Sequence, residues 1–414
     1  MTRRIWAPFA CMACAWGVAT ASAADFAIRD GDTVVFLGDS ITAARTYGRL
    51  IEHYTLMRYP ERKVRFINAG QGGDTAAGGL ARLERDVFAH GATLLTVAYG
   101  INDIGWGGKA DDEHRQKYLD SIRGIVEACK KRGVRVFICS AAITAGDRGE
   151  EDYLQKMCDE GMAISRSLGG GSIDVMRTMR TIQNRVKQWN ANHKDSTETL
   201  HASDGIHLNE LGQLAMGFAI LKGLGAPADV SSVTISAGEA KLLAARGCRL
   251  TELVGAPDRV EFTRLDEGLP INLEPLWQLR FRFIPFPEEL NRYMLTVKDL
   301  APGKYEVRAA GRLVGTWDEK RLAAGVNLGS ATPSGWVPGG PWDAQSHLVK
   351  KLTEARDHIR VTGRLTPEFL AENPNIEAVK RDLEAVDAAL EKAQRDMARP
   401  VPYRFAIQPA PNSK

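Results

Sequence analysis

Ser40, in the run Phe36-Leu37-Gly38-Asp39-Ser40-Ile41-Thr42, stands directly after an apolar stretch that reads as a β-strand. A serine where a parallel strand turns into a helix lies at the carboxyl edge of the sheet, where open α/β sheets gather their ligands. The helix N-terminus there adds unpaired N–H groups and a partial positive charge that favours a developing anion. That is the setting of a nucleophile. Gly-Asp-Ser also makes ordinary turns, so these residues by themselves leave Ser40 as either nucleophile or turn former.

Asp204-Gly205-Ile206-His207 supplies a partner. A spacing of three lets a carboxylate and an imidazole meet over one turn of chain. The aspartate then accepts from Nδ1–H and fixes the tautomer whose Nε2 takes a serine proton. Of the eight histidines, His207 is read as the one with an acid so placed, and His201, three residues before Asp204, is its nearest rival. His53 and His114 fall on helical patterns, and Asp357 and His358 are helix neighbours that point apart.

Two further blocks end corresponding strands: Asn68-Ala69-Gly70-Gln71-Gly72-Gly73-Asp74-Thr75 and Gly100-Ile101-Asn102-Asp103. Acyl transfer needs donors converging on the carbonyl oxygen that turns negative. A glycine N–H, an asparagine amide and the nucleophile's own N–H meet that need. The competing readings are turn glycines and, for Asn102-Asp103, a cap on the next helix. Directly beyond lies Ile104-Gly105-Trp106-Gly107-Gly108, whose indole could stack on a sugar at a pocket rim or pack beneath the loop.

Together the four blocks resemble those of the SGNH hydrolases, also called GDSL esterases/lipases, in the same order and over about residues 32–225. The resemblance implies Ser40 as nucleophile, with Asp204 and His207 completing the triad. It implies an oxyanion hole of the Ser40 amide, Gly73 and Asn102. Gly73, rather than Gly70 or Gly72, directly precedes Asp74-Thr75 as the family's block has it. A flavodoxin-like three-layer α/β/α sandwich with a parallel sheet is the fold implied. No metal or cofactor is expected, and the sequence shows no zinc or iron ligand spacing and no phosphate-cradling loop with a lysine.

The elements that must position these residues are legible as alternation. Apolar runs over Thr33–Leu37, Val64–Asn68, Leu94–Tyr99, Val134–Cys139 and Ser172–Val175 read as strands. Helical spacing runs over Thr46–Tyr59, Leu80–Ala89, Asp111–Arg132, Tyr153–Leu168, Arg177–His193 and Asn209–Leu224. Apolar strands alternating with helices predict a mainly parallel sheet covered on both faces.

Beyond residue 230 the pattern turns β-rich, with short strands expected over Val230–Ser236, Tyr293–Val297, Tyr305–Ala310 and Leu313–Trp317. A Gly/Pro-rich tract, Pro333–Pro341, precedes helical stretches around Asp343–His358 and Ile376–Met397, and Pro409–Lys414 is expected to fray. The domain reading is a signal peptide over 1–23, a catalytic domain over 24–229, a small β-rich domain over 230–340 and a helical C-terminal segment with tail over 341–414.

That leader reading rests on Arg3 and Arg4, an apolar stretch from Ile5 and the small-residue exit Ala21-Ser22-Ala23. The alternative is an uncleaved membrane anchor, for which the apolar stretch is short. Export to the periplasm or the exterior, with no membrane contact after cleavage, is the expectation. Without Arg3 and Arg4 the chain has 52 basic and 51 acidic residues, which offers no electrostatic case for nucleic acid or an anionic surface. Cys129, Cys139, Cys158 and Cys248 remain, and buried free thiols are expected ahead of a disulfide framework.

By family analogy the substrate is a small-molecule or polysaccharide ester, most often an O-acetylated glycan. Rival classes are a lysophospholipase or lipase, a peptidoglycan O-acetylesterase and a non-catalytic carbohydrate-binding protein on an SGNH-like core. No long apolar lid segment favours the lipase. Trp336 and Trp342 bracket Pro338-Gly339-Gly340-Pro341, a stiff segment that could reach the active-site mouth.

Overall fold

The computed structural model describes residues 26–272, 278–334 and 336–411. The expected signal peptide lies outside the described residues. Among the described residues, no helix is long and apolar enough to cross a membrane.

Five strands, β1 (Thr33–Gly38), β2 (Arg65–Gly70), β3 (Leu94–Ala98), β4 (Arg135–Cys139) and β5 (Gly171–Ile173), form one sheet in the order β2-β1-β3-β4-β5, all pairs parallel. The central β1 and β3 are buried along their whole length, as strands covered on both faces must be. Helices α1 (Ser40–Ala43), α2 (Thr46–Arg58), α3 (Ala76–Ala81), α4 (Asp112–Arg132), α5 (Tyr153–Ser167), α6 (Val175–Asn192) and α7 (Glu210–Gly223) supply the cover. α2, α6 and α7 pack as one layer, and α3, α4 and α5 as the other. This is the three-layer flavodoxin-like sandwich, and its strand order reverses between β1 and β3, where such sheets bind ligands.

One helix differs from its predicted bounds. The stretch read as Leu80–Ala89 starts earlier, at Ala76 behind the Thr75 cap, and breaks at Arg82. Thr75 accepts the Gly78 N–H at 3.3 Å and so fixes that start.

The remaining strands are β6 (Asp229–Ser236), β7 (Lys241–Arg246), β8 (Cys248–Ala256), β9 (Arg259–Asp266), β10 (Arg292–Lys298), β11 (Lys304–Ala309), β12 (Arg312–Asp318), β13 (Val326–Asn327) and β14 (Tyr403–Pro409). They form two sheets, β13-β10-β6-β7 and β12-β11-β14-β9-β8. A buried network joins the two: the Arg264 guanidinium donates to Asp266 Oδ1 at 2.9 Å and to Ser231 Oγ at 2.7 Å, and Tyr293 OH donates to Asp266 Oδ2 at 2.7 Å. β7 to β9 escape sequence reading because β7 is exposed along its whole length and so lacks alternation, while β8 carries a bulge between Thr251 and Val254.

Helices α8 (Pro341–Phe369) and α9 (Ile376–Ala398) pair as a hairpin whose members both rest on α2. The helical C-terminal segment and tail expected over 341–414 is corrected at its end. Tyr403–Pro409 is β14, which lies between β9 and β11, with Pro409 opposite Tyr305. Pro409 does not fray, because its strand fills a gap inside a sheet.

Among the described residues the four cysteines are buried and free, and burial pushes the Cys129, Cys139 and Cys158 thiols up to about 12.

Candidate active site

Ser40 opens α1 at the carboxyl end of β1. Asp39 is the cap: its carboxylate accepts the Ile41 N–H at 2.9 Å, which completes the sharp turn. Gly38 is required there, since a Cβ would meet Thr42 Oγ1 at 2.1 Å and Ala98 O at 2.8 Å. Asp39 is buried, and that burial pushes its carboxyl up to about 6.

The imidazole of His207 reaches this turn from the loop before α7. Its Nε2 is 2.9 Å from Ser40 Oγ, and its Nδ1 is 2.6 Å from Asp204 Oδ2. Asp204 Oδ1 accepts the N–H groups of Ile206 and His207, each at 2.9 Å, so one carboxylate holds both the ring and the loop carrying it. Hydrogen bonding to His207, then to those amides, lowers the Asp204 carboxyl to about 2. It is anionic at any working pH. The loop is pinned at both flanks, by Ala145 N–H to Gly205 O at 2.8 Å and Ala202 N–H to His207 O at 2.8 Å.

The rival histidines go elsewhere. His201 is buried with Nε2 2.9 Å from Ile143 O, and burial lowers its pKa. His114 shows that a spacing of three is not unique to His207, because its Nδ1 is 2.8 Å from Asp111 Oδ1 at the start of α4. Position at the sheet edge separates the two pairs; spacing does not.

The second and third blocks meet beside the Ser40 turn. Gln71 N–H donates to Gly38 O at 3.0 Å, which ties the glycine-rich loop to the end of β1. Gly73 has φ +71°, a left-handed conformation that glycine adopts without strain. The Asn102 side chain donates through Nδ2 to Asp74 O at 3.0 Å, which sets its amide against that loop. Asn102 and Asp103 do not cap the following helix, whose N-cap is Asp111. Asp103 instead accepts the Ala76 N–H at the start of α3, at 3.0 Å. Burial pushes its carboxyl up to about 6, and its Oδ2 has no partner among the described residues.

Arg82 is the residue that sequence reading missed. Buried beneath the site, its guanidinium donates to Asp74 Oδ2 at 2.8 Å, Tyr99 OH at 2.8 Å, Asp86 Oδ2 at 2.8 Å and Gly38 O at 3.2 Å. One planar fork thereby joins the ends of three strands. Its signal in the sequence was faint: one of two arginines, with Arg85, on a helical stretch that also carries Glu84 and Asp86.

Trp106 is 56% exposed, so it does not pack beneath its loop. Its Nε1–H donates to Asn102 Oδ1 at 2.9 Å, and its ring stands edge-on to that of His207 with centroids 6.1 Å apart. Trp342, by contrast, is fully buried against Tyr293 and Phe405 and cannot reach an active-site mouth, whereas Trp336 is exposed.

Larger cavities lie away from this cluster. One of about 530 Å³ opens at the amino edge of the sheet near Arg135 and Gly171, and one of about 400 Å³ sits between α2, β2 and the helical hairpin. Chemistry, not volume, selects the Ser40 edge, because the relay of contacts is there.

Residues 36–215 match the model of the GDSL-like Lipase/Acylhydrolase family. Over 219 residues the chain is 24% identical to an acetylxylan esterase of Geobacillus stearothermophilus, covering 48% of this chain and 96% of that protein. The solved structure of a gut microbial diltiazem-metabolizing enzyme is similar with TM-score 0.73 at 23% identity, over 92% of this chain and 98% of its own, a likeness of fold. Residues 36–215 therefore match the GDSL-like lipase/acylhydrolase family, a likeness that supports a hydrolase of carboxylic esters.

Proposed function

We propose that this protein is a serine esterase that removes short acyl groups, acetyl foremost, from hydroxyls of a carbohydrate, and that it acts after export. The observation that carries the reading is the continuous relay Asp204–His207–Ser40, at 2.6 and 2.9 Å, standing at the sheet edge beside Asn102.

In the reaction, His207 Nε2 takes the Ser40 proton as Oγ attacks the ester carbonyl. Negative charge builds on the carbonyl oxygen, toward the Ser40 and Gly73 N–H groups and the free N–H of the Asn102 amide. The tetrahedral intermediate collapses, and the sugar hydroxyl leaves with the proton from His207. Water, deprotonated by the same imidazole, then attacks the acyl-enzyme and releases acetate and Ser40. Anionic Asp204 stabilises the imidazolium at each transfer.

Two observations support the substrate class. The similarity to an acetylxylan esterase runs the length of that protein. The exposed indole of Trp106 offers a flat apolar face at the rim. The leader pattern of residues 1–23 supports export.

The test is acetate release from acetylated xylan, pectin, alginate and peptidoglycan, with hydrolysis of p-nitrophenyl acetate as reference. Activity is expected in the wild type and lost in Ser40→Ala and His207→Ala. Undiminished turnover by purified Ser40→Ala protein overturns the mechanism. A steady rise of kcat/KM from two-carbon to twelve-carbon esters would favour the lysophospholipase reading instead.

A further inference from the structure

We infer that Trp106 is a positioning residue, whose indole N–H locks the Asn102 side chain in the orientation that presents its amide N–H to the reacting oxygen. The inference rests on the reading of Asn102 as an oxyanion donor.

An asparagine amide is nearly symmetric in shape, so its two orientations are told apart only by hydrogen bonds. Only one orientation aims a donor at the site; the other aims a carbonyl oxygen that would repel the developing charge. The indole of Trp106 is a donor and cannot accept. Its Nε1–H at 2.9 Å therefore demands Oδ1 on that side, and Asp74 O at 3.0 Å demands Nδ2 on the other. A flipped amide would set N–H against N–H and oxygen against oxygen, losing both bonds. The lock is chemical, not steric.

The backbone is shaped to deliver that contact. Gly105, Trp106 and Gly107 have φ of +51°, +57° and +97°, three consecutive residues in the left-handed region. For tryptophan this conformation is strained, and such strain persists only where its surroundings impose it. Trp106 N–H bonds Ile101 O at 2.9 Å, and the N–H groups of Gly107 and Lys109 both bond Ile104 O at 2.9 Å, closing the turn. The result folds the indole back over the residue four positions earlier. An indole 56% exposed repays little of that strain through burial. The same ring stands edge-on to His207, so one side chain touches the base and the donor that must act together.

The test compares Trp106→Phe, Asn102→Ala, the double variant and Ser40→Ala on p-nitrophenyl acetate. Phenylalanine keeps a flat ring and removes the N–H. Trp106→Phe should lower kcat roughly 10- to 100-fold, less than the roughly 10²- to 10³-fold cost of losing an oxyanion donor outright because Asp74 O still holds Nδ2, while KM stays within about twofold. In the Asn102→Ala background the same change should cost nothing further. An unchanged kcat, or a rise in KM alone, overturns the inference and leaves the ring as a substrate platform. Losses that multiply in the double variant overturn it too, since they mark an effect on the fold. Activity retained by Ser40→Ala, or by Asn102→Ala, would instead bring down the reading on which the inference stands.

Discussion

Asp357, on the first helix of the C-terminal hairpin, is hydrogen-bonded to Arg45, which lies five residues beyond Ser40. The same carboxylate takes Arg49 Nη1 at 3.2 Å. Arg45 has φ +67°, an unfavourable backbone for a residue with a Cβ, at the link between α1 and α2. A side chain more than 300 residues away thus helps hold the turn that carries Ser40.

Asp357→Asn removes the charge and leaves two arginines partly buried around a neutral amide. A loss of about 1–2 kcal/mol in urea unfolding is expected, in line with charge-assisted hydrogen bonds. kcat should fall with KM nearly constant, because the Ser40 turn loosens while the substrate rim is untouched. Equal kcat in both proteins would reduce the hairpin to a buttress.

Arg82→Met should be costlier. It leaves the Asp74 carboxylate buried without its cation, and breaking such a pair typically costs about 3–5 kcal/mol. Arg82→Lys keeps the charge but cannot serve four acceptors at once, so it should fall between. The ranking wild type, Lys, Met in thermal unfolding midpoint, followed in the same order by kcat, checks this.

Asp204→Asn tests the relay from its far end. With its carboxyl held near 2, Asp204 stays charged across the accessible acid range, so the acid limb of the wild-type pH profile cannot be its titration. The variant should lose roughly 10²- to 10⁴-fold in kcat through the wrong imidazole tautomer, with KM little changed. Steady-state kinetics from pH 5 to 9 distinguishes this from a mere shift of the profile.

Asp343 bears on stability and not on chemistry. Fully buried, it has a carboxyl pushed up to about 8, chiefly by burial, from an ordinary value near 4 when unfolded. Between those values the unfolded chain holds fewer protons than the folded one, so this residue destabilises progressively as pH rises from about 4 to 8. Asp343→Asn removes that slope. Its stability relative to wild type should therefore improve by on the order of 1 kcal/mol or more between pH 5 and pH 8.5, read by urea unfolding. A constant difference across that range would contradict it.

What the sequence made legible followed from periodicity and local chemistry. β1 and β3 are nearly continuous apolar runs because both faces are covered, and the Ser40 and Asn102 blocks lie just past them. Ser40, Asp204 and His207 could be named because four short blocks resemble those of a known family in the same order, whereas a carboxylate three residues before an imidazole occurs at Asp111–His114 as well. Arg82 could not, because its meaning lies in acceptors from Gly38, Asp74 and Tyr99 that only the folded sheet brings together. Nor could the Trp106–Asn102 bond, which depends on three successive left-handed residues. β14 was missed for a related reason: its partners Val260 and Val307 come from two strands far back in the chain, and no local pattern announces a vacancy between them.

That vacancy has a consequence for the order of events during synthesis. β9 emerges about 140 residues before the strand that must sit beside it, and the whole helical hairpin is made in between. Until Tyr403–Pro409 appears, β9 and β11 each present an open ladder edge with apolar side chains, the kind of surface that recruits stray strands. The nascent protein has a parallel sheet that can close early and a second sheet that must wait. Vulnerability to aggregation on the ribosome should therefore be concentrated in the second half of translation, and a helper protein that shields bare β edges would do the most good there.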